Sequence, residues 1–154
     1  MQPVQESLEM LTDQQIAEYI KGHEGLSLMP YYCTAHKLSI GIGRNLEDRG
    51  ISKDEAFYMF NNDLRLAVSD LQRVFGSDFR CLPDPVLLAF IDMMFQLGIG
   101  RFSGFKNMIK YAKAGNWKEA ARELMDSKYA REDCPDRAKQ NRDLLLSCVP
   151  EENI

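Results

Sequence analysis

Gly22-His23-Glu24-Gly25-Leu26, followed after a short interval by Leu38-Ser39-Ile40-Gly41-Ile42-Gly43-Arg44, is the stretch on which the fold of this 154-residue chain turns. Upstream of it, Thr12 with Gln15 reads as a capping box that opens a helix through Ile16, Tyr19 and Ile20. Gly25 supplies the C-cap. Glu24 therefore falls in the last helical turn, where the negative end of the helix dipole disfavours the carboxylate form. Downstream, Met29–Cys33 and Leu38–Ile42 read as two strands around a turn at Thr34–Lys37. The second run alternates Leu38, Ile40 and Ile42 against Ser39, Gly41 and Gly43, as a half-buried strand does. Ser39 and Gly41 share its less apolar face, where small side chains leave room for a ligand beside the backbone.

Working outward, Ser52 with Glu55 is a second capping box. It opens a long helix whose apolar stripe runs Ala56, Met59, Phe60, Leu64, Ala67, Leu71, Val74 and Phe75. Asp84-Pro85 reads as an N-cap with proline at the first helical position. The helix after it, Val86 to Leu97, is apolar nearly all round and so belongs in a core, with Gly98 and Gly100 ending it. Three more helices are expected: about Phe105–Ala114, one from Asn116 with Glu119 as its box partner, and one from Cys134-Pro135 through Leu146. Residues 1–11 read as a loose lead-in. The layout is a mostly helical α+β domain spanning residues 1–154. A small N-terminal lobe with a short β-hairpin covers about 12–60, a linking helix about 54–74, and a helical lobe about 75–148.

Hydrophobic residues at 45% are enough for a packed core, and charged residues at 27% are too few for a disordered chain. Residues 1–97 hold 8 Lys/Arg against 14 Asp/Glu, residues 98–148 hold 11 against 7, and Glu151 and Glu152 restore the overall charge of −4. The basic C-terminal half suits an anionic polymer or, more plainly, solvated helix faces. No apolar run looks long enough to span a bilayer, and Met1–Met10 has neither a basic start nor an apolar stretch, so a cytoplasmic location and no membrane insertion are expected. Cys33, Cys81, Cys134 and Cys148 match no zinc spacing, and the histidines are His23 and His36. Reduced thiols, no metal and no cofactor are expected. No nucleic-acid partner is expected, and a monomer is the default.

An acid at a helix end facing a hairpin that carries a second polar group is a workable layout for cleaving a glycosidic bond. In order, Glu24-Gly25-Leu26, Leu38-Ser39-Ile40-Gly41-Ile42-Gly43, Ile51-Ser52-Lys53-Asp54-Glu55-Ala56, Phe95-Gln96-Leu97-Gly98, Gly104-Phe105 and Pro135-Asp136-Arg137-Ala138 resemble the phage-type lysozymes of glycoside hydrolase family 24, over about residues 14–147. The resemblance implies a lysozyme-like fold. It also implies an endolysin: a muramidase hydrolysing the β-1,4 bond between N-acetylmuramic acid and N-acetylglucosamine in peptidoglycan during host cell lysis. Glu24 stands where the family has its catalytic acid. Family members often carry Asp where this chain has Cys33 and Thr where it has Ser39. Serine keeps the hydroxyl that would hold a water.

A thiol with an ordinary pKa of about 8.5 is only a few per cent thiolate at neutral pH, and a nearby Lys37 or Arg137 would raise that fraction. As a nucleophile Cys33 would give retention of configuration; as a base toward water it would give inversion. Two other readings stay open. One is a lytic transglycosylase, which needs a single acid. The other is a non-catalytic glycan-binding relative, in which Cys33 is an inert strand cysteine. By the resemblance, Gln96 lies at a cleft floor, Phe105 borders the substrate and Arg137 faces the acid across the cleft. Cys134 beside Arg137 is either unrelated to Cys33 or able to bridge to it when oxidised. Arg44 is expected to pair with Asp63, and Asp92 to hydrogen-bond inside the core.

Overall fold

The computed structural model of the protein describes residues 10–153; of the lead-in expected over residues 1–11, all but Met10 and Leu11 lies outside them. The chain divides into two compact units, Met1–Ala56 and Phe57–Ile154, with the boundary inside the long helix α3 (Lys53–Phe75).

The first unit opens with α1 (Asp13–Glu24), whose capping box forms as expected. The Thr12 N–H donates to Gln15 Oε1 at 2.9 Å, and the Gln15 N–H donates to Thr12 Oγ1 at 3.2 Å. Gly25 caps the other end, its N–H donating to the Lys21 carbonyl at 3.0 Å. A three-stranded antiparallel sheet follows: β1 (Ser27–Tyr32), β2 (Leu38–Gly41) and β3 (Arg44–Asn45), in that order. Tyr32 pairs with Leu38, Tyr31 with Ser39 and Ser27 with Gly41, so the register slips between Ser27 and Tyr31. Pro30 lies inside the slip. Having no N–H, it is tolerated there because β1 is an edge strand. The two-residue β3 and the one-turn helix α2 (Leu46–Arg49) are too short to leave a periodic signal, and neither is visible in the sequence.

The expected alternation in β2 is overturned. Ser39 is the buried residue, at 3% exposure, and Ile42 is largely exposed. A serine can occupy the inside because its hydroxyl is satisfied locally, donating to the Lys37 carbonyl at 3.1 Å. A second correction concerns Arg44. It pairs with Glu55 at 2.8 Å, not with Asp63. Glu55 is already fixed by the second capping box: the Ser52 N–H donates to it at 3.0 Å, and its own N–H donates to Ser52 Oγ at 3.1 Å. A carboxylate locked one turn into α3 is a better partner for Arg44 than an exposed one two turns further along.

In the second unit, the C-terminal half of α3 buries Ala67, Leu71 and Phe75, while Met59 and Phe60 remain roughly half exposed. A 3-10 segment (Gly76–Cys81) leads to α4 (Asp84–Ser103). The start is displaced by one residue: Pro83 is the N-cap, and Asp84 and Pro85 are the first two helical residues. The end is displaced further. Gly98, at φ 75° and ψ 167°, breaks the helix, which then resumes to Ser103. That conformation is open only to glycine. By length and composition α4 would suffice to cross a membrane, contrary to the expectation that no apolar run is long enough. Here it is the spine of the core. Val86, Ala89, Phe90, Met93, Met94 and Phe102 are buried, and Phe90 stacks on Phe75 at 5.5 Å and meets Phe102 edge-on at 5.7 Å. Each of these side chains larger than alanine contributes about 1.5–3 kcal/mol by leaving water. Helices α5 (Lys106–Lys113), α6 (Trp117–Met125) and α7 (Pro135–Leu146) lie where the sequence puts them. Between α6 and α7 a π-turn (Tyr129–Asp133) was not foreseen; the Cys134 N–H closes it on the Tyr129 carbonyl at 2.8 Å.

Candidate functional site

Glu24, Cys33 and Ser39 all lie in the first unit. Glu24 ends α1, and its carboxyl lies against the backbone of Gly43. A Cβ built on Gly43 would fall 2.5 Å from Glu24 Oε2 and 2.8 Å from Cδ. Gly43 also has φ 71°, so two independent demands, backbone and space, meet at one residue. The sequence reading had placed Gly43 only as a member of an alternating strand.

Cys33 follows β1 and opens the turn to β2. Its N–H donates to the Lys37 carbonyl at 3.0 Å, and its carbonyl accepts the His36 N–H at 2.8 Å. His36 holds φ 58°, the left-handed region that polar residues in turns enter most readily. Donation from the Lys37 and Ala35 amides holds the Cys33 thiol below its ordinary value; burial opposes this, and the Ser39 hydroxyl adds to it. The expectation that the Lys37 ammonium would do this is corrected: its Nζ is committed to Glu47 at 3.1 Å and Asp48 at 3.2 Å. The charge-stabilising donors are main-chain, a contribution that composition does not reveal. Ser39 has one hydroxyl proton, which can serve the Lys37 carbonyl or a Cys33 thiolate.

Gln96, Arg137 and Phe105 lie in the second unit. Arg137, in the first turn of α7, grips Asp92 on α4 through both Nε and Nη2, the former at 2.8 Å. Asn141, one turn along α7 and 4% exposed, donates to the same carboxylate at 2.9 Å. These donors hold the Asp92 carboxyl below the usual range, Arg137 first, with burial opposing. Asp92 thus does hydrogen-bond internally as expected, and it is the specific partner that a cation at a helix N-terminus needs. Gln96 lies one turn beyond Asp92. It donates to Cys134 Sγ at 2.8 Å and accepts from the Tyr129 hydroxyl at 3.2 Å. Phe105 caps the core, its ring edge-on to Tyr129 at 6.2 Å. One face of it borders a pocket of about 360 Å³ shared with Met108, Glu123 and Ser127. Gln96 therefore belongs to one polar group with Tyr129 and Cys134, Arg137 to another with Asp92 and Asn141, and Phe105 packs on the Tyr129 ring. Asn141 and Tyr129 were missed. The available signal was an acid inside an apolar helix, Asp92, which demands a cation, with Arg137 and Asn141 one turn apart to answer it.

All four cysteines are free thiols, Cys33 and Cys134 among them. The family model described as phage lysozyme matches residues 21–140, more than half of the chain.

Proposed function

The chain belongs to the phage lysozyme family, with its lysozyme-like α+β fold and glycosidase-type action on peptidoglycan, and on that premise we propose that it hydrolyses the β-1,4 bond between N-acetylmuramic acid and N-acetylglucosamine, with Glu24 as general acid and Cys33 in the role usually given to a carboxylate. The observation that carries this reading is the turn around Cys33. Two main-chain N–H groups and the Ser39 hydroxyl favour the thiolate at a position that needs an anion. Glu24 protonates the departing sugar oxygen. The Cys33 thiolate either attacks the anomeric carbon or takes a proton from water, and the Ser39 hydroxyl orients that water. Product configuration reports which: retention for attack, inversion for base catalysis. Gln96, Arg137 and Phe105 contact the glycan. The protein works as a monomer in host cell lysis. It is made and held in the cytoplasm, a reducing compartment that suits four free thiols, until the wall becomes accessible.

The test is mass spectrometry of the products released from purified peptidoglycan by the reduced protein, beside Glu24→Gln, Cys33→Ala and Cys33→Asp. Hydrated reducing-end muropeptides, lost in the first two variants and retained in the third, support the assignment. Products with 1,6-anhydro ends would replace it with a lytic transglycosylase. Peptidoglycan left intact by the wild type would replace it with a non-catalytic glycan binder.

A further inference from the structure

Two hydrogen-bonded groups lie in the second unit, Tyr129–Gln96–Cys134 and Arg137–Asp92–Asn141, and the first begins at a residue with no role in the reading above. Tyr129 is 2% exposed. Its hydroxyl donates to Gln96 Oε1 at 3.2 Å. Asn141 donates to Asp92, and Asp92 fixes Arg137 through two of its guanidinium nitrogens. Gln96 in turn donates to Cys134. Burial and the Asp92 charge keep the tyrosine hydroxyl protonated, so it remains a donor across the neutral range. The bookkeeping leaves three Arg137 N–H bonds and one Gln96 N–H bond unspent. Arg137 is 42% exposed at its side chain. Both side chains thus keep donors free, which suits the acetamido carbonyls and carboxylates of a glycan strand.

We propose that Tyr129 is a positioning residue for glycan binding: by donating to the Gln96 carboxamide oxygen it holds that side chain of α4 in one preformed orientation. The proposal rests on the assignment of Gln96 as a glycan contact. The π-turn is what delivers Tyr129 to this place. A regular α-turn would shift its side chain and leave the Gln96 carboxamide oxygen without this donor. Preorganisation of this kind acts on binding, because it removes the ordering that a bound glycan would otherwise have to impose.

The test uses the full chain with Tyr129→Phe, Gln96→Ala and the double variant. The phenylalanine ring keeps the contact with Phe105, so the fold is maintained, and thermal unfolding checks this. Removing one buried hydroxyl should weaken glycan binding about three- to tenfold. This should be read as a rise in KM with kcat little changed, and as a matching loss in calorimetric binding of soluble muropeptides. The double variant should bind no worse than Gln96→Ala alone, since the two act through one contact. A folded Tyr129→Phe protein with unchanged KM and binding overturns the proposal while leaving the catalytic reading intact, and multiplicative losses in the double variant do the same. If the wild type binds without cleaving, and Tyr129→Phe weakens that binding, the positioning role stands and the catalytic reading falls. If the wild type neither binds nor cleaves, both fall.

Discussion

Replacing Gly43 by alanine separates the position of Glu24 from the stability of the sheet around it. The added Cβ would fall 2.5 Å from Glu24 Oε2, 2.8 Å from Cδ and 3.2 Å from Cγ. Ordinary contact begins near 3.4 Å, so the carboxyl must retreat by roughly 1 Å, a displacement that costs about 100-fold in rate when it falls on a reacting group. That corresponds to about 2.7 kcal/mol of activation free energy. The backbone adds a separate cost, because alanine at φ 71° pays about 1–2 kcal/mol in stability. Gly115 has the same φ of 71° with nothing within 4 Å of an added Cβ, so Gly115→Ala carries the strain without the displacement. Turbidity clearance of purified peptidoglycan, beside urea unfolding of each variant, reads both quantities. Comparable stability losses are expected, with the rate collapse confined to Gly43→Ala. Equal activity in the two variants would refute the claim that Gly43 sets the position of the acid.

Alkylation of Cys33 by iodoacetamide, followed by peptide mapping against pH, should show a midpoint below about 8.5; Ser39→Ala should raise it, and a midpoint at or above the ordinary value would remove the main-chain activation argued from the turn. Glu55, held down to about 2 by Arg44 first and the Ser52 cap second, contributes stability that is present above its unfolded value of about 4.3 and is lost as pH falls toward 2. The gap in melting temperature between wild type and Glu55→Gln should therefore narrow across that window, and a constant gap would contradict the pairing. Asp92→Asn should destabilise the protein by about 1–3 kcal/mol in urea unfolding, because Arg137 and Asn141 both lose their charged acceptor. In a double-mutant cycle Asp92→Asn and Arg137→Met should couple by at least about 0.5 kcal/mol; additivity would mean that solvent at the exposed face of Arg137 already screens the pair.

Sequence alone determined the longer helices, because capping boxes and apolar stripes are local. Thr12–Gln15, Ser52–Glu55 and Asn116 each act within one turn, so their consequences are written in neighbouring residues. The order of motifs also sufficed to identify the family and to single out Glu24, Cys33 and Ser39. Tertiary structure decided the partners. Arg44 chose Glu55 over Asp63 because a capped carboxylate was already in place. Ser39 turned inward because its hydroxyl found a main-chain acceptor, which no hydropathy pattern encodes. The groups that favour a Cys33 thiolate are mainly amides, common to every residue, and only the path of the Thr34–Lys37 turn brings those of Ala35 and Lys37 to bear on the thiol. Likewise Asp92 lies far along the chain from Arg137 and Asn141, and Gln96 from Tyr129. Nothing local joins these partners, and they meet only when α4, the π-turn and α7 pack together.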